Sequence, residues 1–127
     1  MTGRACLLTL ATVALASAQT APRRATNLEA LVAHPGFFHL RPVVVVGNVT
    51  VRTTGEVRVG GDAGSVMLVT KGSVPEGLDE VRAEFWDLGR MKPDDPRLAG
   101  YDIKATFKID PDGPWPQPGQ VTALMAT

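Results

Sequence analysis

A chain of 127 residues has room for one domain and little else. Its 13 Lys and Arg balance 13 Asp and Glu, so it lacks the electrostatic footprint of a dedicated nucleic-acid binder. The single cysteine, Cys6, stands so early that the chain beyond it has no disulfide, thiol nucleophile or cysteine metal site.

Arg4, the apolar run Leu7 to Ala16 and the small residues Ala16-Ser17-Ala18 have the three-part form of a secretory signal peptide. Cleavage is expected between Ala18 and Gln19, and the run is too short to span a bilayer. Cys6 precedes most of that run, whereas a lipoprotein cysteine would follow it. The expected division is a signal peptide over residues 1–18, a polar lead and short helix over 19–40, and a β-barrel domain over 41–127.

Gln19 to Ala25 reads as a solvated lead with Pro22 and Arg23-Arg24. Thr26 or Asn27 caps a short helix through Ala33, with Leu28, Leu31 and Val32 on one apolar stripe. His34-Pro35-Gly36 stops it, and Phe37 or Phe38 is expected to plug an end of the barrel. The first long strand runs from about Arg41 to Arg52, with Gly47 marking a bulge or sharp bend. Thr53-Thr54-Gly55 turns into a strand from Glu56 to Val59. The run Gly60 to Gly64 turns into a third strand from Ser65 to Thr70.

A connector from Lys71 to Glu80 has room for one helical turn after Pro75. The fourth strand, Val81 to Asp87, alternates Val81, Ala83 and Phe85 against Arg82, Glu84 and Trp86. Leu88 to Tyr101 is a long loop. Ile103 to Ile109 alternates again and is expected as a strand. Asp110 to Gly119 is a proline-rich turn, and Val121 to Ala126 is expected as a final strand. Either of these last two strands would serve to close the barrel.

Three strands with glycine turns, a connector, a fourth strand and a late closing strand resemble an OB-fold. That is an all-β architecture, a small five-stranded Greek-key barrel, here preceded by one short helix. The stretch from Val49 and Gly55 through Val66-Met67-Leu68-Val69 and Lys71-Gly72 to Val74-Pro75-Glu76-Gly77 is also similar to the periplasmic haem chaperones of cytochrome c maturation. Their haem-attaching histidine follows the barrel, and no histidine occurs here after His39. The resemblance therefore implies the barrel and export, and not haem chaperoning. Phe85-Trp86-Asp87-Leu88-Gly89-Arg90 followed by Pro93-Asp94-Asp95-Pro96-Arg97-Leu98 resembles exported bacterial proteins to which no activity attaches.

Few residues point to chemistry. His34 and His39 are five apart, and a structural metal site wants four ligands, so neither metal nor cofactor is expected. Asp110-Pro111-Asp112-Gly113 begins like a calcium loop, but Val121 stands where the twelfth-position glutamate belongs. Asp94-Asp95, with Asp87 and Asp102 nearby, offers a carboxylate pair for acid–base work. Trp86, Tyr101, Trp115 and Arg90, with Arg82 close to Trp86, are the binding candidates, because exposed aromatic and arginine groups anchor interfaces and stack on sugars or bases. The competing reading has the loop from Gly89 to Tyr101 fold over Trp86 as a second small core.

The chain thus reads as a periplasmic or secreted, non-enzymatic binding module. Its expected partner is a protein, peptide or glycan held on the barrel surface by Arg82, Trp86, Arg90 and Tyr101. The alternatives are an OB-type single-stranded nucleic-acid binder and a hydrolase using the Asp94-Asp95 loop.

Overall fold

The computed structural model describes residues 23–61, 64–73 and 76–127. The expected signal peptide lies outside these residues, as does part of the connector around Pro75. The elements in chain order are β1 (Arg24–Thr26), α1 (Leu28–Ala33), α2 (Pro35–Phe38), β2 (Arg41–Val51), β3 (Val57–Gly61), β4 (Gly64–Val69), β5 (Gly77–Asp87), α3 (Ile103–Phe107) and β6 (Thr122–Ala126). Single 3-10 turns at Leu88–Arg90 and Pro96–Leu98 lie between β5 and α3.

The sheet order is β1-β2-β3-β4-β6-β5, and β2 also pairs with β5. Five strands, β2 to β6, therefore close into a barrel, and β1 adds a short sixth strand outside it. β4 and β6 run parallel, while every other contact around the barrel is antiparallel. This is the OB-like Greek-key barrel expected from the order of elements.

β2 holds the barrel together because it has two neighbours along one edge and one along the other. Val43 to Val45 pair with β1 and Asn48 to Val51 with β3, while the opposite edge pairs with β5 from Arg41↔Phe85 to Val49↔Gly77. Gly47 lies where β1 gives way to β3. No bulge is found there opposite β5, since the register runs on through Gly47↔Asp79. Its reason is close packing: a Cβ at Gly47 would run into the Val59 side chain, with Leu28 Cδ1 at 3.4 Å.

The barrel interior holds Val43, Val45, Val49, Val59, Val66, Leu68, Val81, Ala83, Phe85 and Leu124. These are the inward positions of strands with a two-residue period. Leu28 and Leu31 of α1 and Phe38 of α2 complete the same core. Asn27 starts α1, its Oδ1 accepting from the Ala30 amide at 2.8 Å. Phe38 is the buried member of its pair, and Phe37 stays half outside.

A second core lies against the outer wall of the barrel. Met67 of β4, Trp86 of β5 and Ala123 and Met125 of β6 are covered by Leu88, Met91, Leu98, Phe107 and Ile109. The long excursion between β5 and β6 is thus a packed layer, not a solvated loop.

Three expectations are corrected. Ile103 to Phe107 is a helical turn and not a strand. Asp102 Oδ1 caps it by accepting from the Ala105 amide at 3.1 Å, and Lys108 ends it in the left-handed region. Apolar residues at 103 and 107 fit both a strand and a helix period, and the cap decides between them. The barrel is accordingly closed by β6. The expected fourth strand starts earlier, at Gly77, which leaves no helical turn there. The lead is not wholly solvated either, because Arg24–Thr26 forms β1.

Candidate functional site

A cleft of about 480 Å³ opens where three segments meet. Thr54, Gly55, Glu56 and Val57 come from the turn between β2 and β3 and the start of β3. Met67 to Lys71 come from β4 and its exit. Gly100, Tyr101, Ala105, Thr106 and Lys108 come from the covering layer and α3. Apolar Val57, Met67, Leu68, Val69 and Ala105 alternate there with hydroxyls and charges.

The charges are not equivalent. Glu56 is engaged, with Oε1 accepting from Arg58 at 3.0 Å. Arg58 is itself held, its Nε donating to Ser65 Oγ at 2.7 Å and its Nη2 to the Ser65 carbonyl at 2.9 Å. Among the described residues neither Lys71 nor Lys108 has an ion-pair partner. The cleft therefore presents two unopposed ammonium groups. Lys108 is in the left-handed region at φ 61°, which is strained for a residue with a Cβ.

Of the expected contact residues Arg82, Trp86, Arg90 and Tyr101, Tyr101 alone lines this cleft. Its ring meets Trp86 edge-on at 5.9 Å between centroids and Phe107 at 5.8 Å. Trp86 points away from the barrel interior, as the alternation of β5 requires, yet only 6% of it is exposed. It stacks on Phe107 at 6.3 Å, and its indole Nε1 donates to Glu84 Oε1 at 2.8 Å. The covering layer thus buries Trp86. Arg82 is exposed and pairs with Glu80 at 3.1 Å. Arg90 donates from Nε to Asp87 Oδ2 at 3.0 Å and lies over Gly36, where a Cβ would come within 2.6 Å of its Nη2. Of the four, Trp86 and Tyr101 meet, while Arg82 and Arg90 are each tied elsewhere.

The carboxylates near Asp94-Asp95 have local duties. Asp95 Oδ1 accepts from the Arg97 amide at 2.9 Å, and Asp102 caps α3. Asp110 Oδ1 accepts from the Asp112 amide at 3.0 Å, which makes the proline-rich segment an aspartate-capped turn. Among the described residues no group of three His, Cys, Asp or Glu side chains converges as metal ligands would. None of the described helices is long and apolar enough to cross a membrane.

Sequence reasoning missed the role of Asp87. It is fully buried and is bound by the Gly89 and Gly119 amides and by Arg90. The backbone N–H of Asp87 donates to His39 Nδ1 at 2.9 Å. Burial lowers the pKa of His39 below its ordinary value, as do the charges of Arg90 and Arg97, against the opposing pull of Asp87 and Asp95. The only local signal was Asp87-Leu88-Gly89, the pattern of an aspartate accepting from an amide two residues on.

Comparison with protein-family models, with curated proteins and with solved structures finds no match.

Proposed function

We propose that this chain is an exported, non-enzymatic binding module whose cleft takes a carboxylate-bearing segment of a peptide or glycan. The observation that supports this best is the pair of unopposed lysines, Lys71 and Lys108, beside Tyr101 and the Thr54 and Thr106 side chains. An ammonium group without a counterion attracts an anion, the hydroxyls orient it, and the apolar lining takes its carbon skeleton. The cleft volume is of the size that holds a few sugar units or amino-acid residues, within a range of about 300–1,000 Å³. Export is taken from the three-part amino end, and the likeness to periplasmic haem chaperones enters as one of barrel and compartment.

Asp95 and Asp102 cap turns instead of converging on one point, which favours binding over turnover. Titration calorimetry against an oligoglutamate peptide, a uronic-acid oligosaccharide and an oligothymidylate tests the reading. Binding of one of the first two, weakened tenfold or more in Lys71→Ala plus Lys108→Ala, is expected. Equal binding by that double variant, or preference for the oligothymidylate, would overturn it.

A further inference from the structure

The neutral total charge conceals a division along the chain. Between Arg23 and Gly61 stand five arginines and two glutamates, whereas residues 76–127 carry six Lys and Arg against ten Asp and Glu. Three of the five arginines, Arg23, Arg24 and Arg41, gather at one end of β2, where β1 runs beside it. All three are exposed. Among the described residues none has a carboxylate partner, while Arg58, Arg82, Arg90 and Arg97 each hold one.

Phe37 lies among them. The Arg24 guanidinium carbon is 5.3 Å from its ring centroid and that of Arg41 is 4.6 Å. The ring is 48% exposed and braced edge-on by Phe38 at 4.9 Å, and Phe38 is anchored in the barrel core. An aromatic side chain is thus held outside the fold with guanidinium groups around it. Arg23 Nη1 donates to the Ala83 carbonyl at 3.3 Å, which ties this end of the chain to the barrel. None of these residues lines the cleft that holds Lys71 and Lys108.

We infer that the face made by Arg23, Arg24, Arg41 and Phe37 docks on the phosphates of anionic lipid headgroups at a membrane surface. Guanidinium groups recognise phosphate through paired N–H donors, and an exposed aromatic ring sits well at headgroup depth. Several separate guanidinium groups around one exposed ring suit a layer of many headgroups better than a single defined peptide. Arg41 begins β2 and Thr54 lies just past its end, so the docking face and the cleft stand at opposite ends of that strand. A domain docked in this way leaves its cleft open to the aqueous side.

Each arginine close to an anionic surface favours binding by about fivefold, so three give about a hundredfold preference over a neutral surface. The test is flotation of the protein, as recovered from the producing cell, with vesicles of pure phosphatidylcholine or of phosphatidylcholine containing a quarter phosphatidylglycerol. Binding to the second kind alone, weakened by salt, is expected. Arg24→Gln plus Arg41→Gln should lower it about 25-fold, by two of those fivefold steps. Phe37→Ser should lower it further, and Lys71→Ala plus Lys108→Ala should leave it unchanged. That last variant separates a failure here from a failure of the cleft. Equal binding to both vesicles would show insertion of the apolar leader and overturn the inference. So would no binding, an unaffected arginine double variant, or full displacement by inorganic phosphate or an oligoglutamate peptide.

Discussion

The amide of Gly119 donates to both carboxylate oxygens of Asp87, at 2.9 Å each, across 32 residues of sequence. That bond closes the base of the excursion between β5 and β6. Leu88 N–H donating to the Val121 carbonyl at 2.9 Å closes it again one residue on. Trp115 Nε1 stitches the layer from within, donating to the carbonyls of Leu88 and Met91 at 2.9 Å each. Asp87 thus fixes where the covering layer leaves the barrel and where it returns.

Removing this carboxylate leaves two amides and a guanidinium without their acceptor. Hydrogen bonds to a charged group contribute about 1.5–3 kcal/mol each, with strong overlap among bonds to one carboxylate. Asp87→Ala should therefore lower the unfolding free energy by about 3 kcal/mol, read from urea titrations. Arg90 is 44% exposed in its side chain, so Arg90→Ala should cost only about 1 kcal/mol. A near-equal loss in the two variants would mean that the ion pair, and not the amide ties, holds the layer.

His39 makes that junction sensitive to pH. Its Nδ1 accepts from the Asp87 amide, so the neutral ring is the one that fits. Burial is the largest cause of its lowered pKa. The folded protein thus binds the proton less readily than the unfolded chain. The linked stability is fully present above the ordinary histidine value of about 6.5 and is lost as pH falls through the lowered folded value. Melting temperatures taken between neutral and mildly acidic pH should fall for the parent chain. In His39→Gln, whose side-chain oxygen still offers an acceptor, they should fall less. An identical slope in both would assign the acid sensitivity elsewhere.

The interior of the barrel was legible because valines at 43, 45 and 49 repeat with the period of a strand and face one way. The alternation of β5 was equally plain, and it correctly turned Trp86 outward. What it did not carry was the fate of that outer face. Covering Trp86 takes Met91 and Leu98, from a stretch of prolines and single turns without periodicity, and Phe107, from a segment whose alternation read as a strand. β1 was invisible for a related reason: three residues paired through backbone alone leave no side-chain pattern. The cleft had no signal either, since Thr54, Lys71 and Lys108 come from three turns brought together only by barrel closure.

α1 is part of the barrel and not an appendage. Leu31 is fully buried in the barrel core, while Val32 beside it is exposed. Leu31→Ala should cost about 2–5 kcal/mol through lost burial and the cavity left behind. Val32→Ala should change stability by less than about 0.5 kcal/mol. Urea midpoints measure both, and a small loss at Leu31 would show that the barrel closes without its plug.

Under the proposed binding role, Lys108 sets stability against ligand affinity. Its left-handed backbone, φ 61°, costs a side-chain-bearing residue roughly 1 kcal/mol that glycine avoids. Glycine also loses more freedom on folding, by about 0.4–1 kcal/mol, so Lys108→Gly should gain at most about 0.5 kcal/mol net, or up to about 3 °C in melting temperature. The same change removes one of the two unopposed ammonium groups in the cleft and should weaken a carboxylate ligand about tenfold, or about 1.4 kcal/mol. Holding a lysine where glycine fits better is what a fold does when the charge is wanted at that spot. Calorimetry and thermal melts on one preparation measure both quantities. A stabilised variant that binds as well as the parent would leave the strain at Lys108 without a functional reason.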